Sequence, residues 1–349
     1  MVKKDIRSLN FLELQEALVQ LGEKAFRAKQ VHEWLWKKAV PEFESMLNIS
    51  KELREKLSEQ FVINALSVNN AQTSRDGTIK YGFRLFDGNL IEGVLIPTEN
   101  RTTACVSSQV GCSLTCKFCA TGYMERKRNL NPDEIFDQVV LINKDSEKHF
   151  DQRLSNIVYM GMGEPLLNYA NVLKSIERIT AADGLGFSPQ RITVSTAGVA
   201  KMIKKLGDDE VKFNLALSLH AANDSKRNEI MPINESNNLD VLAEALHYFY
   251  QKTGTRVTFE YIVFDNFNDS LEDAAELYAF WKKVPSKINI IEYNPIAFAD
   301  FKNTSVARLD AFIAFLEIKD VIVNVRRSRG KDIDAACGQL AIKEQNIGG

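Results

Sequence analysis

The sequence has 349 residues, of which 45% are hydrophobic and 26% charged, a composition typical of a globular protein with a full core. Its formal net charge of −2 excludes a general electrostatic attraction to nucleic acid, so any RNA-binding surface must be a local patch. The N-terminus lacks the apolar segment of a signal peptide, and no stretch is long and apolar enough to span a bilayer. We therefore expect a cytoplasmic protein without a membrane partner.

The first part of the chain predicts a small helical domain. Apolar residues recur with helical spacing over residues 11–21 and again over residues 26–35. A third helical pattern begins after Ser50, a residue type that is favoured as a helix N-cap. We expect an N-terminal helical accessory domain over residues 1–60.

Two apolar runs typical of β-strands follow, over residues 78–86 and 89–97. The dipeptide Asp-Gly at positions 87–88 separates them, and this dipeptide is a favoured two-residue hairpin turn. The sequence therefore predicts a β-hairpin extension over residues 61–98.

From residue 99 to the end, short apolar strands alternate with amphipathic helices. Strands are predicted near residues 102–107, 156–160, 191–195, 213–219, 256–263, 287–293 and 320–325. Helices are predicted near residues 132–145, 169–181, 199–206, 238–252, 271–283 and 305–316. Repeated β-α units favour a parallel sheet covered by helices, an α/β fold. The periodicity fits an open Rossmann-like sheet and a barrel equally well.

The segment GCSLTCKFCATG contains Cys112, Cys116 and Cys119 in a C-x3-C-x2-C pattern. Three thiolates on one short loop can converge on one metal centre, and thiolates suit both iron–sulfur clusters and zinc. Three cysteines would leave one iron of a four-iron cluster open to a substrate or cofactor. The alternative is a structural zinc site with Cys105 as the fourth ligand, although the spacing differs from the paired cysteines usual in zinc sites.

With the aromatic Phe118 before its last cysteine, this pattern resembles the signature of radical-SAM enzymes. The resemblance implies one [4Fe-4S] cluster, whose open iron binds S-adenosylmethionine (SAM), and reductive cleavage of SAM to a 5′-deoxyadenosyl radical. It also implies a partial (β/α)6 radical-SAM barrel, which the predicted strand series suits. We assign this catalytic barrel to residues 99–349.

Polar residues and glycines lie where the predicted strands end, which is where such barrels bind their ligands. Gly163 and Glu164 follow the second strand and resemble the family's glycine-glutamate motif for the methionyl amine of SAM. Further candidates for SAM binding follow later strands: Ser195, Ser218, Leu219, His220 and Asn294. Each residue alone is typical of a turn or cap, but together they lie on one rim, which favours cofactor binding.

The motifs MGMGEPLLN, STAG, SLHA, YNP and DIDAACGQL together resemble the radical-SAM RNA adenine methyltransferases that act on 23S rRNA. The resemblance runs from about residue 10 to about residue 345. One branch of that family methylates adenine C2 and the other C8. The full MGMGEPLLN form resembles the C2 branch, which also modifies the adenine next to the anticodon in some tRNAs.

Adenine C2 is electron-poor, so a carbon radical adds to it where an ordinary methyl transfer fails. The resemblance implies that Cys337 accepts a methyl group from one SAM and that a radical from a second SAM removes a hydrogen from that methyl group. The resulting methylene radical adds to C2, Glu92 removes the C2 proton, and Cys105 attacks the sulfur of Cys337 to release the base and form a transient disulfide. From the residues alone, Glu92 is interpreted as a solvated strand carboxylate and Cys105 as a small buried hydrophobe.

Basic residues cluster at 125–128 and 326–331, and the second run lies just before Cys337, where it could hold phosphates. Short basic runs are more often solvated faces. We expect 23S rRNA and tRNA as substrates, an electron donor such as flavodoxin, and a monomeric enzyme. A methylthiotransferase would need more cluster cysteines than this chain has. An adenine C8-methyltransferase and a zinc-stabilised RNA-binding protein without catalysis stay open as alternatives.

Overall fold

A computed structural model describes residues 3–342. Its N-terminal part contains α1 (Phe11–Gln20), α2 (Arg27–His32) and α3 (Lys51–Gln60). Asn10 caps α1, because its side chain accepts a hydrogen bond from the Glu13 N–H while the Glu13 carboxylate accepts from the Asn10 N–H. The short strands β1 (Lys4–Asp5) and β2 (Phe61–Val62) pair in parallel and bring the two ends of this part together.

The extension contains three antiparallel strands, β3 (Ser67–Thr73), β4 (Ile79–Arg84) and β5 (Leu90–Thr98). The strands β4 and β5 and the turn between them confirm the predicted hairpin. The strand β3 was not predicted, because its SVNNAQT side chains are nearly all exposed and show no apolar alternation. The strand β5 also pairs with β6 (Arg101–Cys105), so the extension continues the main sheet across the predicted boundary at residue 98.

The remaining strands are β7 (Gln109–Val110), β8 (Arg128–Asn129), β9 (Asn156–Tyr159), β10 (Ile192–Thr196), β11 (Asn214–Ser218), β12 (Val257–Ile262), β13 (Ser286–Ile291) and β14 (Val323–Arg326). The remaining helices are α4 (Pro132–Phe150), α5 (Tyr169–Thr180), α6 (Ala200–Asp208), α7 (Asp224–Ile230), α8 (Leu239–Thr253), α9 (Leu271–Trp281) and α10 (Val306–Glu317). All the predicted strands and helices of this part are present within a few residues of their expected bounds. The short helix α7 was not predicted.

The main sheet has ten strands in the order β14-β13-β12-β11-β10-β9-β6-β5-β4-β3. Pairing is parallel from β6 through β9 to β14, and at least one helix lies in every crossover between these strands. Six β-α units and a last strand therefore form a partial barrel, as predicted. The central strand β12 is buried at every position, which is typical of a parallel strand covered on both faces.

The N-terminal part is fastened to the barrel through a buried ion-pair cluster. Arg7 contacts Asp137 at 2.8 Å and Asp133 at 3.3 Å, and both carboxylates belong to α4. Within the described residues, every helix is too short or too polar to cross a membrane.

Candidate active site

A cavity of about 260 Å³ opens at the carboxyl ends of the parallel strands. Its walls come from the ends of β6, β10, β11, β12 and β14, from the segments that follow β9 and β11, and from the loop between β7 and β8. All five cysteines of the chain line this single cavity. The fold thus brings together thiols that lie more than 200 residues apart in the sequence.

The loop with the C-x3-C-x2-C pattern is held between the paired strands β7 and β8. It begins at Gly111, where φ is +74° and a Cβ atom would lie only 2.0 Å from the Glu125 carbonyl oxygen, so a side chain has no room. The Leu114 N–H points at the Cys112 Sγ at 3.4 Å, and the Cys119 N–H donates to the Cys116 carbonyl at 3.2 Å. These contacts shape the loop so that its thiols face the cavity.

Burial dominates the chemistry of these three thiols. It raises the pKa of Cys112 to about 11 and raises the pKa of both Cys116 and Cys119 above the ordinary value. Such thiols stay protonated at neutral pH unless a metal's positive charge removes their protons. Within residues 3–342, no group of three or more His, Cys, Asp or Glu side chains is arranged to hold a single metal ion. A four-iron cluster is wider than one ion and takes each thiolate at a different iron.

The buried side chain of Arg227 indicates that an anionic group binds at this loop. It is 0% exposed and donates four hydrogen bonds, all to uncharged oxygens. No ion pair joins it to a carboxylate within residues 3–342, and its protonated form would be favoured most by a charge on Cys116 and next by Asp224. A buried cation needs a compensating anion. The residues present therefore fit a thiolate-bound iron–sulfur cluster, which would be held by Cys112, Cys116 and Cys119.

Gly163 and Glu164 form the turn after β9 and line the cavity. Gly163 has φ of +91°, and a Cβ atom there would lie 2.4 Å from the side chain of Gln109. Glu164 is buried, and its two carboxylate oxygens accept the N–H groups of Leu166 at 2.9 Å and Ala197 at 2.8 Å. Burial raises the pKa of this carboxyl. The carboxylate thus ties the turn after β9 to the turn after β10 and retains lone pairs for a ligand.

Ser195, Ser218 and His220 also line the cavity. The Oγ atoms of the two serines are 3.5 Å apart, at the ends of the neighbouring strands β10 and β11. The His220 Nδ1 accepts the Ile262 N–H at 3.1 Å, and burial lowers the pKa of this imidazole to about 3. A neutral ring that accepts at Nδ1 carries its proton on Nε2, so His220 is a hydrogen-bond donor. Its ring packs edge-on against Phe118, with centroids 4.6 Å apart.

Two predicted SAM contacts are not among the residues that line the cavity. The Leu219 side chain is in the core, its N–H donates to the Glu260 carbonyl at 3.0 Å, and its carbonyl accepts from Arg227. Asn294 is buried, and its Nδ2 donates to the Cys337 carbonyl at 3.1 Å. Its Oδ1 is buried without a partner. Asn294 therefore positions the segment that carries Cys337.

Cys105, at the end of β6, and Cys337, near the C-terminus, are the two cysteines outside the cluster loop. Burial raises the pKa of Cys105, and a charge on Cys337 raises it further, so the two thiols are close enough to interact electrostatically. Burial also raises the pKa of Cys337, although its exposed surface faces the cavity. All five cysteines are free thiols, so the expected transient disulfide stays a prediction.

Glu92 does not lie on the cavity wall. It is buried in β5, where its Oε1 is 3.4 Å from the Lys80 Nζ and its Oε2 accepts the Ala341 N–H at 2.9 Å. The sequence suggested a solvated strand carboxylate, and that interpretation is wrong. Glu92 instead connects the extension to the chain just beyond Cys337.

Sequence reasoning missed Glu260 on the cavity wall and noted Arg326 only as part of the basic run 326–331. Glu260 lies on β12, its Oε2 is buried without a partner, and its Oε1 is 3.7 Å from the Arg326 Nη1. An unpartnered buried carboxylate oxygen can accept an N–H or O–H group of a bound ligand. The available signal was a lone carboxylate within the otherwise apolar strand VTFEYI.

Comparisons with known proteins agree with this geometry. The family described as "Radical SAM superfamily" matches residues 106–278, and the family described as "Ribosomal RNA large subunit methyltransferase N-terminal domain" matches residues 4–63. The "Probable dual-specificity RNA methyltransferase RlmN" of Cytophaga hutchinsonii is 65% identical over 98% of this chain and 94% of its own length. The protein of the same name from Salinibacter ruber is 44% identical, covering 97% of this chain and 94% of its own length.

A crystal structure of a radical SAM methyltransferase from Sphaerobacter thermophilus superposes with a TM-score of 0.91 at 38% identity, covering 97% of this chain and 99% of that one. The resemblance therefore extends over nearly all of the chain in sequence, and in fold over nearly all of the part that the structure describes. Enzymes of this superfamily use a [4Fe-4S] cluster and SAM, which the three clustered thiols and the strand-end cavity fit. The chain belongs to the RlmN family of radical-SAM RNA methyltransferases.

Proposed function

We propose that this enzyme methylates C2 of an adenine in 23S rRNA and of the adenine next to the anticodon in some tRNAs. The observation that carries the proposal is the meeting of Cys105 and Cys337 with the three cluster cysteines in one cavity. A radical methyl transfer through S-methylcysteine needs two additional thiols near the cluster, and this cavity holds that number. The names of the relatives, which describe dual-specificity RNA methyltransferases, support two classes of RNA substrate.

The cluster and SAM, when bound, supply the 5′-deoxyadenosyl radical and the methyl group. Cys112, Cys116 and Cys119 hold the cluster, and Arg227 compensates its negative charge. The SAM-binding wall is formed by Gly163, Glu164, Ser195, Ser218 and His220. Leu219 and Asn294 act behind that wall, Leu219 by fixing the turn after β11 and Asn294 by fixing the backbone of Cys337.

Cys337 is the proposed methyl acceptor. Its surface in the cavity is accessible, and the positive charge of Arg326 favours its thiolate against the effect of burial. Cys105 lies deeper in the same wall and is the proposed resolving thiol. Once the base is joined to Cys337 through its methylene carbon, the Cys105 thiolate attacks the Cys337 Sγ. Before this step the adduct has lost the C2 proton and one electron, for which the cluster, when bound, would be the acceptor. The S–C bond then breaks with its electron pair on the methylene carbon, which takes up a proton to become the methyl group, while a Cys105–Cys337 disulfide forms and the methylated base leaves. Exchange with an external thiol reduces the disulfide for the next turnover.

Glu92 is the proposed base for the C2 proton. Its carboxylate has to turn from the Ala341 N–H toward the cavity when RNA binds, because both of its oxygens are engaged in this structure. Its Oε1 lies 3.4 Å from the Nζ of Lys80 on the neighbouring strand β4. We further infer that a small one-electron donor such as flavodoxin reduces the cluster and that the enzyme acts as a monomer in the cytoplasm.

The decisive experiment is mass spectrometry of 23S rRNA and tRNA from cells lacking the gene, complemented with the wild-type gene or with Cys337→Ala. We expect 2-methyladenosine to disappear from both RNAs and to return with the wild-type gene alone. Loss of 8-methyladenosine instead would identify a C8 enzyme, and unchanged RNA would overturn the proposal.

The resolving role of Cys105 has its own test. The variant Cys105→Ala should accumulate enzyme covalently joined to RNA, visible as a slower band after denaturing electrophoresis that ribonuclease removes. The double variant Cys105→Ala/Cys337→Ala is the matched control and should form no such band. If Cys105→Ala releases methylated RNA at the wild-type rate, Cys105 does not resolve the adduct.

A further inference from the structure

Two exposed aromatic rings lie against each other beside the active-site cavity. The side chains of Tyr123 and Phe298 are 47% and 61% exposed. Their rings are stacked with centroids 5.0 Å apart and an interplanar angle of 25°. The Tyr123 hydroxyl donates to the Lys117 carbonyl at 3.1 Å, which fixes the lower ring of the stack. The more exposed Phe298 therefore presents a flat apolar face to solvent on a rigid support.

The segments that carry these rings both contact the segment of Cys337. Tyr123 directly follows Thr121 and Gly122, which line the cavity, and the Ala120 N–H just before them donates to the Gly338 carbonyl at 2.7 Å. Phe298 lies in the loop after β13, whose Asn294 holds the Cys337 carbonyl. The aromatic stack is thus built on the two chain segments that flank the proposed methyl acceptor.

The charges near the stack suit a polyanion. Exposed cations in residues 117–127, 295–302 and 326–329 are Lys117, Arg126, Lys127, Lys302, Arg326, Arg327 and Arg329. Exposed acids in the same segments are fewer, namely Glu125 and Asp300. Cations around an aromatic face are the combination with which proteins bind single-stranded nucleic acid, because phosphates contact the cations while bases stack on the ring.

We propose that Phe298, supported by Tyr123, binds a nucleobase of the RNA substrate adjacent to the adenine that enters the cavity. This inference rests on the proposed function, since it assumes that an RNA adenine is placed next to Cys337. An adenine can reach an enclosed cavity only after it leaves its stack in the RNA, which exposes the face of its neighbour. Stacking that neighbour on Phe298 replaces the lost contact and holds the RNA open. Every base has a π-face, so such a platform accepts the different sequences of rRNA and tRNA.

The test measures binding of the full-length, cluster-loaded enzyme without SAM to a fluorescent RNA hairpin with one adenine in its loop. Matched RNAs lack the base on the 5′ or the 3′ side of that adenine. The wild-type enzyme should bind one of these abasic RNAs about 5- to 150-fold more weakly, the range expected for one base stacked on an aromatic ring. The variant Phe298→Leu should bind the intact RNA more weakly by a similar factor and should not distinguish it from the abasic RNA.

Phe298→Trp should retain the affinity and the discrimination, because it keeps the aromatic face. The matched control is Tyr278→Leu, which disrupts another stacked pair, with Trp281 on α9, and should bind like the wild type. The dependence of affinity on salt should be the same for Phe298→Leu and the wild type, since phosphate contacts are unchanged.

The platform would be overturned if the affinity losses from Phe298→Leu and from the abasic RNAs were independent and additive. It would also be overturned if these changes altered the affinity by less than about twofold. That result would leave C2 methylation untouched. Conversely, an enzyme that methylated no RNA could still show the coupling between Phe298 and the flanking base, so the two proposals fail separately.

Discussion

Arg7 and Arg227 are both buried arginines, but they are neutralised in different ways. Arg7 lies among Asp5, Asp133 and Asp137 and joins the N-terminal part to α4. Burial alone would lower the pKa of Arg7, but the charges of Asp137 and Asp133 outweigh it and hold the pKa above its ordinary value. For Arg227, burial lowers the pKa to about 10, because the charges nearby compensate it only in part.

This difference distinguishes an arginine that stabilises the fold from an arginine that lies beside the active site. A cation that only joins two parts of the fold can be paired permanently, because its environment never changes. Arg227, beside the cluster loop, donates its hydrogen bonds to uncharged oxygens, and the charges of Cys116 and Asp224 compensate it only in part, so a group that binds later can complete its compensation. The Arg227 region is therefore built for a charged ligand, whereas the Arg7 region is complete without one.

The largest effect, a loss of RNA methylation, is expected from Cys337→Ala in the active-site cavity. Its thiol is exposed in the cavity, so the change should leave the fold, the cluster and reductive SAM cleavage intact while RNA methylation falls to background. Release of 5′-deoxyadenosine and methylation of RNA should be measured in the same reaction, with Cys337→Ser as the variant of matched size. Residual methylation by either variant would contradict the role of this thiol as methyl acceptor.

The two arginines themselves provide the next test. Arg7→Met leaves Asp133 and Asp137 buried without their cation, and Arg227→Met leaves four buried oxygens without their donor. Each should lower the free energy of unfolding of the apoprotein by about 3–5 kcal/mol in urea titrations. In the cluster-loaded protein, the loss from Arg227→Met should grow, and the loss from Arg7→Met should not.

The pH dependence distinguishes the two variants further. Burial raises the pKa of Asp133 to about 7 even beside Arg7, and removing Arg7 raises it more. A carboxyl whose folded pKa lies above its unfolded pKa of about 4 stabilises the fold when protonated, and this contribution is lost as the pH rises. In the wild type this loss is complete near pH 7, whereas in Arg7→Met it continues to higher pH, so the deficit of Arg7→Met should grow above about pH 7, and that of Arg227→Met should stay nearly constant. Parallel pH profiles would remove the distinction between paired and unpaired cations.

The sequence indicated the proposed cluster ligands but not the buried cation beside them. Cysteine spacing is local, so Cys112, Cys116 and Cys119 could be recognised without a structure. Arg227 lies in the polar stretch NDSKRNEI, which is typical of a surface loop, and its burial depends on carbonyls of the distant strands β10 and β11. No local pattern carries that information.

The strand ends show a second limit of sequence reasoning. A periodic pattern tells where a strand ends, so the sequence predicted that Ser195, Ser218 and His220 lie at strand ends, and all three line the cavity. It does not tell which way each following side chain points. Leu219 and Asn294 were predicted to contact SAM and are not among the residues that line the cavity, because their polar groups bond to the turn after β11 and to the Cys337 segment.

A smaller effect, on the pH dependence of folding stability, is expected from His220, a neutral imidazole in the active-site cavity. Its folded pKa of about 3 lies below its unfolded pKa of about 6.5, so the folded state binds fewer protons between these values. Stability should therefore be full above about pH 6.5 and fall toward pH 3, by at most about 1.4 kcal/mol per pH unit from this group. His220→Asn should flatten that slope in urea titrations, and the exposed His149→Asn should not. Identical slopes for both variants would show that His220 does not carry this dependence.

The smallest effect is expected from Asp76, which holds the Cys337 segment to the extension at the protein surface. Its carboxylate accepts the N–H groups of Gly330 and Thr78, each at 3.0 Å. Burial opposes ionisation, but these hydrogen bonds outweigh it and lower the pKa to about 2. This contribution is present above the unfolded pKa of about 4 and is lost as the pH falls through 2.

Because Asp76 is exposed, Asp76→Asn should cost only about 0.5 kcal/mol of global stability. Locally, it should increase amide hydrogen exchange across residues 330–337, because the Gly330 N–H loses its charged acceptor. Asp87→Asn is the matched control, since Asp87 also has a pKa lowered to about 2 but pairs with Arg128 at another turn. Equal exchange in the two variants would mean that the Cys337 segment is held by Glu92 and Asn294 rather than by the tip of the extension, and the surface contact would then add nothing to the positioning of the thiol.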